Sequence, residues 1–246
     1  MMKKGKISLN RTKIKYIAIV AMLLDHMAVF LLPPEKSHVQ IVLYIIMRTI
    51  GRITAPLMFY FLGEGYIFTS SRLKYGIRLL CFGLISQVPY MLLRFENGMA
   101  TNLNVIITLF LTFLMLDVAN KAKNQLIEVI GLAAFVILTI RCDWGIIGPI
   151  LAWMFFGYRS NCTKHLIKYA IISALMFISM MIIIQQTGQS WYEGIYYIGM
   201  FLVIPLLKAY DREAGSKSKI NKWFFYVFYP VHLFLIWMII CASNCV

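Results

Sequence analysis

Nine apolar runs divide this chain, at 14–32, 39–69, 73–93, 103–119, 125–141, 143–157, 164–187, 192–209 and 222–242, with polar or basic stretches between them. A helix that crosses a bilayer needs about 20 mostly apolar residues, each advancing about 1.5 Å. Period-2 alternation is absent, so helices are predicted rather than the strands of an outer-membrane barrel. The run at 39–69 is longer than one span, and Pro56 offers a kink point because proline has no N–H to donate. The runs at 125–141 and 143–157 are short, and a hairpin that does not fully cross is the alternative there. The pattern predicts an all-α, polytopic transmembrane helix bundle of about nine spanning helices, one integral membrane domain over 1–246.

Loop charges orient the bundle. With an internal N-terminus, the inner segments hold Lys3, Lys4, Lys6, Arg11, Lys13 and Lys15, then Arg72, Lys74 and Arg78, then Lys121 and Lys123. Arg159, Lys164 and Lys168 follow, and Lys208, Arg212, Lys217, Lys219 and Lys222 complete the inner set. The outer segments hold Lys36, Arg94 and Arg141, three basic residues against nineteen. Cytoplasmic loops carry the excess of Lys and Arg, so the N-terminus is expected inside and the C-terminus outside. Residues 208–222 become a cytoplasmic loop, and the stretch DREAGSKSK at 211–219 has the turn residues of a flexible one. The expected location is the cell inner (cytoplasmic) membrane, multi-pass.

Composition agrees: 61% hydrophobic and 14% charged residues, with a mean hydropathy of +0.76, exclude an ordinary soluble domain. The net charge of +14 follows from the basic inner loops, so no nucleic-acid partner is expected. Cys81, Cys142, Cys162, Cys241 and Cys245 lack metal-like spacing, and no metal is predicted. The basic N-terminal residues resemble a signal peptide, but no small-residue cleavage site follows and the apolar run contains Asp25 and His26. A retained first helix is expected.

Charges inside apolar runs are the candidates for chemistry. A charge at bilayer depth costs about 2.5–3.5 kcal/mol on insertion scales, so it needs a partner or a role. Asp25 lies about 16 Å along the first helix and His232 about 15 Å along the last, so they and His26 share a depth if those helices are neighbours. A carboxylate beside an imidazole can orient it as a general base; a structural ion pair is the plainer alternative. Arg48 and Arg52, four apart, lie on one helix face and suit an anionic group, or else pair with Asp25, Glu64 or Asp143 and hold helices together. Gly63 and Gly65 flank Glu64, which fits close backbone approach at a site or plain helix packing. Arg72, Lys74 and Arg78 form an inner basic cluster, to which Lys222 and the 208–219 loop add; it either reports topology and contacts lipid headgroups or receives a phosphorylated cytoplasmic donor. Asn102, Asn104, Arg141, Asp143 and Trp144 gather at outer helix ends, where Asp143 pairs with Arg141 or caps a helix. Phosphate-binding glycine loops, a nucleophile elbow and a His-Glu-x-x-His zinc helix are missing from the sequence.

Several segments resemble the TraX family of integral membrane proteins, named for the enzyme that acetylates the N-terminus of conjugative pilin. They are KYIAIVAMLLDH at 15–26, GRITAPLMFYFLGEG at 51–65, the stretch 66–89 ending in LISQVP, NLN at 102–104, DWG at 143–145 and FYVFYPVH at 225–232. Their order is kept over nearly the whole chain; Trp144 stands where Tyr is more usual. A looser similarity to other transmembrane acyltransferases is a polar histidine inside a helical bundle. The resemblance implies acetyl transfer with acetyl-CoA as the donor substrate. It puts Asp25, His26, Arg52, Glu64, Arg78, Asn104, Asp143, Tyr226 and His232 at the family's polar motif positions. The acceptor it leaves open: a peptide or pilin-like N-terminal amine, or a glycan or lipid hydroxyl. His26 and His232 are the expected bases with Asp25 orienting, and Arg48 and Lys222 join the binding residues. A proton-coupled transporter or lipid flippase, and a non-enzymatic pilin assembly factor, are the competing readings.

Overall fold

The computed structural model describes residues 8–32, 37–99, 102–157, 162–216 and 218–244. Lys3, Lys4, Lys6, Lys36, Arg159, Lys217 and Cys245, counted above, lie outside the described residues. The described chain is helical, and its β-type pairing is confined to isolated bridges at Leu9–Tyr210 and Leu103–Cys142. The helices are α1 (Arg11–Leu31), α2 (His38–Gly51), α3 (Thr54–Phe68), α4 (Arg72–Glu96), α5 (Val105–Lys121) and α6 (Gln125–Leu138). α7 (Ile147–Gly157), α8 (Cys162–Thr187), α9 (Tyr192–Ile195), a 3₁₀ segment (Tyr196–Leu202), α10 (Val203–Ala209) and α11 (Lys219–Asn244) complete the chain. Asn10, Ser37, Ser71, Asn104 and Asn124 each accept a backbone N–H at a helix start, the capping chemistry those side chains favour.

Among the described residues six helical stretches are long and apolar enough to cross a membrane: Arg11–Leu31, His38–Phe68, Arg72–Glu96, Thr163–Thr187, Tyr192–Ala209 and Lys219–Ser243. The pattern above gives about nine. The difference lies in α5, α6 and α7, with 17, 14 and 11 residues. At about 1.5 Å per residue even α5 falls short of a hydrocarbon core about 30 Å thick. The protein is therefore a polytopic helical membrane protein. The long run at 39–69 does break: α2 stops at Gly51, and Arg52 and Ile53 turn before α3. Pro56 sits in the first turn of α3, where its missing N–H is tolerated.

The described chain divides into two compact units. The first is Met1–Leu57 with Ala170–Phe225. In it α1 packs along α2, and α2 packs on the 3₁₀ segment. Ala18, Ala21 and Ala28 are buried on α1, and small side chains let backbones approach. The Thr54 hydroxyl donates to the Ala18 carbonyl at 3.0 Å. Gly199 lies against the Thr49 carbonyl, with no room for a Cβ. The linker following α10 is tied down instead of forming the expected flexible loop. Leu9 N–H donates to Ala209, Asp211 N–H to Leu9 and Arg11 N–H to Glu213, at 2.8, 3.1 and 2.9 Å. The Ser8 hydroxyl adds a 2.6 Å bond to the Asp211 carboxylate.

The second unit is Met58–Tyr169 with Tyr226–Val246. α5 is its hub, packed by α4, α6 and α7. Its buried residues include Ile106, Leu109, Thr112, Phe113 and Leu116, so apolar side chains are covered around much of its circumference. Gly83 admits Ile107, Gly131 admits Val118, and Gly148 receives the ring of Phe59.

Candidate functional site

The first unit holds a buried ion cluster. Asp25, about two-thirds of the way along α1, meets two guanidiniums: Arg48 donates from Nη1 at 2.7 Å, and Arg52 donates from Nη2 to both carboxylate oxygens at 2.8 and 2.6 Å. Arg48 and Arg52 are only 9% and 6% exposed. Four-residue spacing at the end of α2 aims both at one carboxylate, and Gly51 between them leaves space for the Asp25 side chain. Arg48 also donates from Nη2 to the Tyr196 hydroxyl at 3.1 Å. Its guanidinium lies 4.4 Å from the Tyr196 ring, and that of Arg52 lies 5.4 Å from both Tyr196 and Tyr197. Tyr44, one turn before Arg48, meets Tyr196 edge-on at 6.2 Å. The two guanidiniums share one carboxylate and lie over aromatic faces, which favour a cation. The ion-pair alternative for these arginines is thus what the structure forms, with Asp25 as partner.

The two candidate bases have different surroundings. His26 is half-buried in the first unit with Phe30 at 6.1 Å, and the neighbouring Asp25 carboxylate is held by the arginines. His232 belongs to the second unit and is 4% exposed. Its Nδ1 donates to the Phe228 carbonyl one turn back at 2.7 Å, so in the neutral ring Nε2 carries the lone pair. The ring stacks on Phe228 at 4.7 Å and meets Tyr229 at 5.6 Å. Pro230, inside α11, takes away the N–H that would bond the Tyr226 carbonyl.

The basic cluster separates into unlike parts. Arg72 lies 4.2 Å from the Tyr66 ring and 3.8 Å from Asp117, which also accepts from Lys121 at 2.6 Å and from the Tyr66 hydroxyl at 2.9 Å. Arg78 is half-buried, hydrogen-bonds Tyr226 and lies over the Tyr75 ring at 5.7 Å. Lys222 is exposed in the first turn of α11 and belongs to the first unit. Glu64 is half-buried on α3 and accepts from the Tyr60 hydroxyl at 3.4 Å.

Asn104 is completely buried, and its groups hold helices together. Its Oδ1 caps α5 by accepting from Ile106 and Ile107, and its Nδ2 donates to the Gly83 carbonyl at 2.7 Å and to Gln87 at 2.8 Å. Gln87 returns a bond to the Asn102 carbonyl. Asp143 joins the adjoining turn through its backbone, donating N–H to Leu103 and accepting from the Thr108 hydroxyl at 2.6 Å. Trp144 follows with φ 59°, and Gly145 packs on the Thr139 carbonyl. Among the described residues no three His, Cys, Asp or Glu side chains gather as a metal site.

Tyr44, Tyr196 and Tyr197 around the arginines, Asp117 and Tyr66 around Arg72, and Gln87 beside Asn104 are absent from the sequence-derived set. Tyr44 and Arg48 share one helix face by spacing, and that was the available signal for the first group.

A polytopic helical membrane protein with a carboxylate clamped by two arginines inside one unit and a tautomer-fixed histidine inside the other is the class so defined. The chain belongs to the TraX family: the family model, described as TraX protein, matches residues 10–240. Its sequence is 29% identical over 238 residues to the probable fimbrial assembly protein FimC, serogroup H1, of Dichelobacter nodosus, covering 94% of this chain and 95% of that protein. No solved structure matches.

Proposed function

We propose that this chain is an integral membrane acetyltransferase that takes acetyl from cytoplasmic acetyl-CoA and gives it to a pilin-type N-terminal amine, with a glycan or lipid hydroxyl as the other acceptor class. Its N-terminus lies inside, its C-terminus outside and its 208–222 loop in the cytoplasm, as the loop charges favour, in the inner membrane. His232 is the observation that carries this reading: a buried imidazole with Nδ1 bonded to Phe228 presents Nε2 as a proton acceptor. The acceptor nitrogen attacks the thioester carbonyl carbon as Nε2 removes its proton. The C–S bond then breaks, and the CoA thiolate leaves with that proton. Membership of a family named for pilin acetylation supports the reaction class. A relative named as a probable fimbrial assembly protein supports a pilin-like acceptor.

That relative's name also favours a second reading, in which the protein binds a pilin-like helix without chemistry. The test is acetyl transfer by the full chain in nanodiscs with acetyl-CoA and pilin N-terminal peptides, read as acetylated product by mass spectrometry. Acceptor-dependent acetylation and CoA release, lost in His232→Gln, is the expected result. Peptide binding without CoA release would leave the assembly reading.

A further inference from the structure

An arginine inside or at the edge of an apolar run is expected to meet a carboxylate, and among the described residues Arg78 does not. Arg48 and Arg52 share Asp25, while Arg72 and Lys121 share Asp117. Arg78 lies on α4, about 9 Å along the helix from Arg72, and among the described residues no carboxylate pairs with it. Its Nε is buried and has no hydrogen-bond partner. The Tyr226 hydroxyl and the face of Tyr75 hold the group from two sides, and Phe82 packs on Tyr226 at 5.1 Å. Neither neighbour supplies a negative charge. Arg78 is half-buried, and a guanidinium whose Nε is shut off from water with no counter-ion beside it carries a desolvation cost that a bound anion would offset.

We infer that Arg78 anchors a phosphate subsite within the second unit. A guanidinium offers a planar fork of donors that fits phosphate oxygens in pairs, and Tyr226 and Tyr75 keep that fork from swinging. Phosphate is the suitable anion because Arg72 and Lys74, at the start of the same helix, add positive charge where a multiply charged group gains most. This deepens the acetyl-CoA reading and partly rests on it: the phosphates of that donor are one source, and a lipid headgroup is the other. Arg72, balanced by Asp117, is a support and not the anchor.

Two probes on the full chain separate the sources. CoA binding is measured by calorimetry in zwitterionic nanodiscs, and retention of phosphatidylglycerol by native mass spectrometry. Arg78→Gln is expected to weaken CoA binding about tenfold or more, the loss a charge-assisted hydrogen bond implies, and Arg72→Gln to weaken it less. If the wild type binds no CoA but retains phosphatidylglycerol, and Arg78→Gln loses it, the subsite stands with lipid as its source and the donor reading falls. Equal binding of both probes by wild type and Arg78→Gln, or binding of neither by the wild type, overturns the subsite. Should Arg78→Gln not purify as a folded species, Arg78→Lys keeps the charge without the fork. Weaker binding in that variant upholds the proposal, and unchanged binding of both probes counts against it.

Discussion

Arg52 grips both oxygens of Asp25 through one nitrogen, Nη2, while Arg48 holds the same carboxylate from one turn earlier. The three residues form an unequal set, and the inequality orders their substitutions. Asp25→Asn strands two buried cations and is expected to cost about 3–5 kcal/mol, as when one partner of a buried pair is removed. Arg48→Gln leaves a balanced Asp25–Arg52 pair and should cost clearly less. Thermal melting of both variants in one nanodisc composition checks the order; a milder Asp25→Asn would mean the cluster's charge is balanced elsewhere.

Gly199 supplies a test of how α2 and the 3₁₀ segment approach. A methyl group there meets the Thr49 carbonyl, which is backbone and cannot rotate away. Gly199→Ala should destabilise by about 1–3 kcal/mol, the usual cost of overpacking. At Gly63 the nearest atom lies 4.0 Å from an added Cβ, so Gly63→Ala is expected to melt no lower than wild type.

For the chemistry, His232→Gln should slow acetyl transfer about 10²–10⁴-fold without loss of the folded protein, the range general-base assistance covers. His26→Gln should slow it less, because the neighbouring Asp25 is held by two arginines. Single-turnover acetylation of a pilin peptide compares the two; the reverse order would return the base to His26.

The linker clamp should respond to pH. The Ser8 hydroxyl, helped by the Glu213 N–H, holds the Asp211 carboxyl below its ordinary value. A depressed carboxylate stabilises the folded clamp above the ordinary carboxylate range and loses that contribution as pH falls through the depressed value. Hydrogen exchange at the Leu9, Arg11 and Asp211 amides, corrected for intrinsic rates, should therefore show protection that persists at neutral pH and fades in acid. Asp211→Asn should remove that pH dependence.

Asp25, Arg48 and Arg52 were legible in the sequence because a charge inside an apolar run has no solvent to explain it. Pro56 marked the broken second span for an equally local reason. The tyrosines around the arginines were not legible, since an aromatic in an apolar run looks the same whether it belongs to a core, an interfacial belt or a guanidinium. Gln87 was missed because its partner Asn104 is distant in sequence; Asp117 has a local partner in Lys121, but Tyr66 and Arg72, which tie it to other helices, are distant. The larger span count arose because hydropathy measures apolar length and not helix length. Between Leu138 and Ile147 a turn takes residues 139–141 from one run and 143–146 from the next, leaving α6 and α7 shorter than the runs they came from.

The 3₁₀ segment has a consequence for reach. Tyr192–Ala209 has 18 residues, which as continuous α-helix would extend about 27 Å, short of a hydrocarbon core about 30 Å thick. Seven of those residues are wound as 3₁₀ helix, which rises about 2.0 Å per residue instead of 1.5 Å. The stretch gains about 3.5 Å, enough to match the bilayer without another residue. A substitution that rewound Tyr196–Leu202 as α-helix would shorten this element and draw one of its ends into the apolar layer.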